Sequence, residues 1–198
     1  GRIELASARL ARWAYDDCPP HPMWLPDKEW LDERSHAAGW FHLLSPQPEG
    51  RLHSQLIHAG PSAARMPDGR EQLRMHPDDA SSLNLHDGML ARVFNERGAC
   101  LAVVQLSEAI MPGVVALPTG AWYTPAMEGA GPELSGNANI LTPDVRTSRL
   151  GQGCAAHSCL VKIEAWTDDA PSPAQEFDRR IDAMTSASEA GRDRRKLA

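Results

Sequence analysis

Long apolar runs are missing from this 198-residue sequence: none approaches the ~20 residues that a membrane span needs, so no transmembrane helix is read. Lysine is scarce, at Lys28, Lys162 and Lys196 only, and no basic stripe offsets a formal charge of −6. A nucleic-acid backbone is therefore not the expected partner, because displacing its counterions calls for clustered Lys and Arg. The basic run RDRRK near the end reads as a solvated terminus. Cysteine is limited to Cys18, Cys100, Cys154 and Cys159, and no CxxC pair occurs, which leaves a zinc ribbon or a thioredoxin-like redox pair without support. Reduced, partly buried thiols are expected instead, which suits the cytoplasm. The opening GRIELAS has neither a basic n-region nor a long apolar h-region, so no signal peptide is visible. The sequence reads as beginning inside a larger protein, with any export signal upstream of Gly1.

What is present is ordinary globular composition, 42% hydrophobic and 23% charged, enough for one domain with extensions. Residues 1–39 are poor in strand signals and rich in Pro, Trp and acidic residues, as in DDCPPHP and WLPDKEW, and read as an irregular lead-in. From Trp40 onward, short apolar runs (WFHLLS, MLARVFN, ACLAVVQL, VVALP, CLVKIEAW) alternate with turn signals. Asn95-Glu96-Arg97-Gly98 predicts a hairpin, with glycine available for positive φ. Together these predict a mainly β domain, a barrel or a sandwich, over residues 40–167. Pro77 followed by Asp78 and Asp79 predicts a short helix ended by Asn84 or Gly88. The Gly- and Pro-rich stretch from Tyr123 to Gly136 predicts a long surface loop. In the tail, residues 168–198, Ser172 and Gln175 resemble a capping box. Phe177, Ile181 and Met184 fall on one face of a short helix expected to end in a frayed, charged terminus.

Several familiar chemistries fail on context. GQGCAA at Gly151–Ala156 matches GxGxxA, but a strand-rich segment follows it rather than a helix, so a dinucleotide fold of the doubly wound type is not supported. His53 and His58 lack companions that would complete a metal site. Ser54, His53 and Asp144 lack the frame of a hydrolase elbow. More informative are four polar segments that follow or join strands: SPQPEGRLHSQ, TGAWYTP, GNANILTPD and TSRLGQG. Their amides, hydroxyls, imidazole and arginines suit a ligand with heteroaromatic edges and phosphates.

In this order, and with YDDCPPHP, GREQLRMHPDDA, LHDGMLARVFNERGACLA, IMPGVVALP and HSCLVKIE, these segments resemble the C-terminal domain of the dimethyl sulfoxide reductase family of molybdenum enzymes. NERGACLA and TGAWYTP place the resemblance nearest its biotin sulfoxide and trimethylamine N-oxide reductase branch. The resemblance spans nearly all of residues 1–167. Departures are Gly151 where alanine is usual, the Thr142-Pro143-Asp144 interruption, and Cys154 at a variable site.

The resemblance implies a six-stranded double-psi β-barrel with short helices that closes over bis-molybdopterin guanine dinucleotide held by the rest of the parent oxidoreductase. It assigns cofactor contacts to Ser45, Arg51, His53, Ser54 and Gln55 in the first loop, and to Asn139 and Gln152 in later ones. Trp122 is left between shaping a substrate funnel and simple packing. It further implies oxygen-atom transfer from an S-oxide or N-oxide, with an electron donor completing the cycle. The residue that ligates molybdenum, typically a serine, would lie outside this chain, so no catalytic residue is assigned here. A cytoplasmic parent is expected, or a periplasmic one if it carries an export signal. The competing readings are a non-catalytic binding or assembly module of the same fold, and a standalone barrel enzyme, which would need a catalytic group not seen here.

Overall fold

The computed structural model describes residues 1–126 and 131–196. Helices α1 (Ala8–Trp13) and α2 (Glu33–Ala37) lie in the lead-in. The strands are β1 (Phe41–Leu44), β2 (Gln72–Met75), β3 (Leu90–Phe94), β4 (Ala99–Leu106), β5 (Val114–Ala116) and β6 (Leu160–Ala165). Helices α3 (Gly60–Ala63) and α4 (Pro77–Ser82) interrupt them, and α5 (Pro173–Lys196) follows. Each strand sends alternate residues inward. Phe41 and Leu43, Leu73 and Met75, Ala91 and Val93, and Val161 and Ile163 are all buried, with Cys100, Ala102 and Val104 of β4 beside them.

The strands close into a barrel in the order β1-β5-β2-β4-β3-β6. Pairs β1–β5 and β2–β4 are parallel and the remaining four are antiparallel. Exchanging β1, β2, β3 with β4, β5, β6 leaves every neighbour and direction unchanged. This internal two-fold, with its two parallel pairs, is that of a double-psi β-barrel. Closure removes both sheet edges, so the backbone donors of these short strands are paired all round.

Several expectations need correction. Strand β2 has no counterpart among the expected strands, because QLRM offers only two apolar residues in four. Gly98 closes the β3–β4 hairpin without a positive φ. It is glycine for space: a Cβ there would lie 2.6 Å from Ile140 Cγ1. Residues 123–136 are not a plain surface loop. Glu133–Asn137 are buried, since the Glu133 N–H donates to Ala99 O (2.8 Å) and its carbonyl accepts from Leu101 N–H (2.7 Å), edging β4. Residues 127–130 of that segment lie outside the described residues.

Helix α5 is 24 residues long rather than short, since no proline follows Pro173 to end it. It therefore carries RDRRK as helix, while the last two residues of the expected frayed end lie outside the described residues. The capping box is formed as expected, Ser172 N–H donating to Gln175 Oε1 (2.9 Å) and Gln175 N–H to Ser172 Oγ (3.2 Å). Phe177, Ile181 and Met184, however, are exposed. Helix α4 ends at a left-handed Asn84, as expected. Its Asp79 also accepts Gly113 N–H at 2.8 Å, tying the helix to the entry of β5. Among the described residues no helix is long and apolar enough to cross a membrane.

Candidate functional site

Because β1 and β5 run parallel, they leave the barrel at the same end, and their ladder continues into the loops. Leu117 N–H donates to Leu44 O (2.9 Å) and Thr119 N–H to Pro46 O (3.0 Å). The segments after Leu44 and after Ala116 therefore emerge side by side. Gly120 completes the approach: at φ +98° its missing Cβ would stand 2.3 Å from the His53 carbonyl carbon. Thr119 Oγ1 lies 3.4 Å from His53 Nδ1.

The 46–59 loop is held from beneath by an ion pair. Arg51 and Glu71 have side chains 3% and 4% exposed and pair through Arg51 Nη2 and Glu71 Oε1. Arg51 Nε also donates to His53 O at 2.8 Å, and its carbonyl accepts from Gln47 Nε2 at 3.2 Å. Burial pushes the Glu71 carboxyl above its ordinary range, opposed by the charge and hydrogen bond of Arg51. Anchored this way, the loop adopts left-handed backbone at two non-glycine residues, His53 (φ 47°) and Leu56 (φ 56°). Such strain persists only where the surroundings over-determine it.

A second hub sits under the neighbouring loops. The buried Glu133 carboxylate accepts from Thr124 N–H (3.0 Å), Ser135 N–H (2.9 Å) and Asn137 N–H (2.8 Å). Asn137 then donates through Nδ2 to Ala121 O (3.0 Å) and accepts Asn139 N–H at 3.0 Å. One carboxylate thereby locks the 121–124 and 135–139 segments together and presents Asn139 outward.

The result is a groove of about 450 Å³ at one end of the barrel, where Ser45, His53, Ser54 and Asn139 meet Thr119 and Trp122. Cys154 and His157 complete it, the His157 Nδ1 accepting Ser45 N–H at 3.3 Å. Of the seven residues expected at the site, these four are brought together. Arg51 is turned inward to Glu71. Gln55 and Gln152 are exposed on adjoining loops, Gln152 near the tip of a ribbon closed by the Arg146–Cys154 bridge. Asp17 Oδ2 pins that ribbon by accepting Arg149 N–H at 2.7 Å. Sequence reasoning missed Glu71, Glu133, Asn137 and His157. No local pattern marks a carboxylate that the fold will bury. Trp122 stacks edge-on against His58 at 4.8 Å while remaining exposed.

The lead-in is fastened to the same barrel. Glu29 accepts from Arg97 Nη2 and Leu160 N–H, both at 2.9 Å. Burial alone would raise the Glu29 carboxyl, but these hydrogen bonds and the Arg97 charge bring it below its ordinary value. The four cysteines are free; Cys100 and Cys159 are buried thiols. Burial and the nearby Glu133 raise Cys100 well above the usual range, and burial raises Cys159 to about 11 against the opposing pull of Arg97. Cys154 alone of the four is exposed.

Known proteins resemble this chain along most of its length. The family described as Molydopterin dinucleotide binding domain matches residues 41–160. A biotin sulfoxide reductase from Cereibacter sphaeroides is 51% identical over 184 residues, covering 93% of this chain and 24% of the relative. A dimethyl sulfoxide/trimethylamine N-oxide reductase from Rhodobacter capsulatus is 37% identical over 172 residues, 86% of this chain and 21% of the relative. Trimethylamine-N-oxide reductase 1 from Escherichia coli is 40% identical, covering 84% and 20%. This chain thus spans about a quarter of the length of those relatives or less. Among solved structures, acetylene hydratase from Pelobacter acetylenicus superposes with a TM-score of 0.65 at 19% identity, over 83% of this chain and 23% of that one, which shows a shared fold. The family match covers the barrel up to the start of β6 and every segment that lines the groove, so the chain belongs to the molydopterin dinucleotide binding domain family.

Proposed function

We propose that this chain is the cofactor-closing domain of a molybdenum oxidoreductase that reduces an S-oxide or N-oxide, and that the groove grips the pterin edges of bis-molybdopterin guanine dinucleotide. The observation that carries this reading is the convergence of polar side chains from separate segments in one groove. Among the described residues, Ser54 Oγ and the Asn139, Gln55 and Gln152 carboxamides form no hydrogen bond with another side chain or the backbone. These are the forked donors and acceptors that a pterin edge matches. The Gly120 cradle and the anchored His53 hold such groups in place before a ligand arrives, which reduces the ordering cost of binding.

When bound, the molybdenum cofactor supplies the oxygen-atom transfer chemistry. The residues of this chain bind, orient and exclude water. Ser45, His53, Ser54 and Asn139 face the ligand directly, Gln55 and Gln152 close from the rim, and Arg51 acts from beneath by fixing the His53 carbonyl. The metal ligand, the bulk of the substrate pocket and the contact with an electron donor belong to the remainder of the parent. Exposed Ile3, Leu5, Trp24 and Met23 in the lead-in support such a neighbour, since apolar surface of that kind is normally covered. The cytoplasm is the proposed compartment, on the similarity to a biotin sulfoxide reductase. A cleavable export peptide on the parent would move it to the periplasm.

The test is the molybdenum, pterin and guanine content of the purified parent carrying His53→Ala or Gln152→Ala. Reduced content in each supports the site. Wild-type content in both would overturn it.

A further inference from the structure

Helix α5 lies outside the family-matched span, yet its first turns touch the loop that carries Trp122. Arg180 Nη2 donates to Pro125 O, and Arg180 Nε approaches Glu176 Oε1 at 3.5 Å. Glu176 is a buried carboxylate, 1% exposed, with Arg179 Nη1 3.9 Å from its other oxygen. Pro125 pairs with Glu133, the same residue whose carboxylate gathers the Thr124 amide. The start of the helix is itself fixed to the barrel. Arg70, 3% exposed, donates through Nη2 to Pro171 O (2.6 Å) and Ala170 O (3.3 Å) just ahead of the capping box.

Pro173 and Phe177 share one apolar cavity of about 380 Å³ with Ile57, Met66 and Trp122. A hydrogen bond thus joins α5 to the loop that also holds Thr119 and Gly120 against His53, and an apolar cavity lies between the helix and Trp122 of that loop.

We infer that Arg180, oriented by Glu176, is a positioning residue for the Thr119–Pro125 loop, so that the terminal helix is a working part of the groove. The inference that this matters for cofactor rests on the function proposed above; the contact between helix and loop does not. Arg180 is 37% exposed at its side chain, so its removal leaves the barrel core untouched. Without it, Pro125 keeps only its bridge to Glu133, and the loop opens more often. The loop then no longer holds the His53 side of the groove in register.

The experiment uses Arg180→Ala, Arg180→Lys and Glu176→Gln in the parent protein, read by hydrogen exchange and by guanine content. Amide exchange at Thr119 and Thr124, whose N–H groups donate to Pro46 O and Glu133 Oε1, should rise at least fivefold in Arg180→Ala. It should recover in part in Arg180→Lys, which keeps a cationic donor group, and rise less in Glu176→Gln. Exchange at Ala91 and Val103 in the barrel should stay unchanged, and guanine content should fall in step with loop opening. Unchanged loop exchange, or a rise shared equally by the barrel, overturns the positioning role. Faster loop exchange with undiminished guanine content overturns its importance for the site. A wild-type parent without guanine defeats the cofactor reading instead, and the exchange measurement still decides whether α5 positions the loop.

Discussion

The β3–β4 hairpin and the 46–59 loop are similar in length and lie in the same barrel, but they use their residues in opposite ways. In the hairpin, Ala91 and Val93 face the core, and Arg92 reaches across to its registered neighbour on β6, Glu164, at 2.7 Å. Its backbone donors bond to neighbouring strands or to the segments that extend them, Leu101 N–H to Glu133 O and Val103 N–H to Glu71 O among the latter. In the loop, Leu52 and Leu56 are exposed, two non-glycine residues sit in left-handed backbone, and a buried ion pair replaces the apolar core. The hairpin takes its shape from its own local pattern and is completed by the strands beside it. The loop keeps its shape through groups supplied from elsewhere, Glu71 beneath it and Gly120 beside it, and so its free polar side chains can face a ligand.

That contrast is broken most severely by removing one member of the ion pair. Arg51→Ala leaves the Glu71 carboxylate buried without a partner and should cost about 3–5 kcal/mol in denaturant unfolding. The pair replacement Arg51→Met with Glu71→Leu should recover most of that loss, whereas groove binding stays impaired. Gly120→Ala acts from the other side. It combines a left-handed alanine with a Cβ aimed at the His53 backbone, and should cost about 2–4 kcal/mol. Hydrogen exchange should show the damage concentrated at residues 51–58 and 119–124, with the hairpin spared; uniform loss across both would erase the distinction between the two regions.

Acid sharpens the comparison at the lead-in. The Glu29 carboxyl is held below its usual value of 4.5, so its contribution is complete above that pH and is lost as pH falls through the lowered value. Stability measured against pH should therefore fall below about 4.5, and Glu29→Gln should flatten that limb. The smallest effect is expected at the capping box. Ser172→Ala should cost about 1 kcal/mol and leave the groove intact, seen as a modest drop in thermal midpoint.

Five of the six strands were legible because alternation over a barrel wall is a local property, visible in runs such as MLARVFN. Strand β2 was not, since Gln72 and Arg74 face outward in only four residues. The closed order was beyond periodicity, because parallel pairing of β1 with β5 joins segments some seventy residues apart; it came through the resemblance. At the site, the polar segments that carry Ser45, His53, Ser54 and Asn139 could be picked out by composition, while the choice of those four residues came through the resemblance. The inward turn of Arg51 could not, because the partner that captures it, Glu71, stands twenty positions away with nothing to mark its burial. Glu133 was hidden for the same reason, inside a stretch whose glycines and prolines suggest only a surface loop. Exposed polar residues announce themselves by type, while the groups that position them are identified by where the fold puts them.

The most direct measurement is the molybdenum, pterin and guanine content of the parent protein purified with and without residues 40–167. Two guanine dinucleotides per molybdenum in the intact protein, and loss of cofactor from the truncated form, are expected if the groove closes over the cofactor. Equal cofactor content in the two forms would contradict that role.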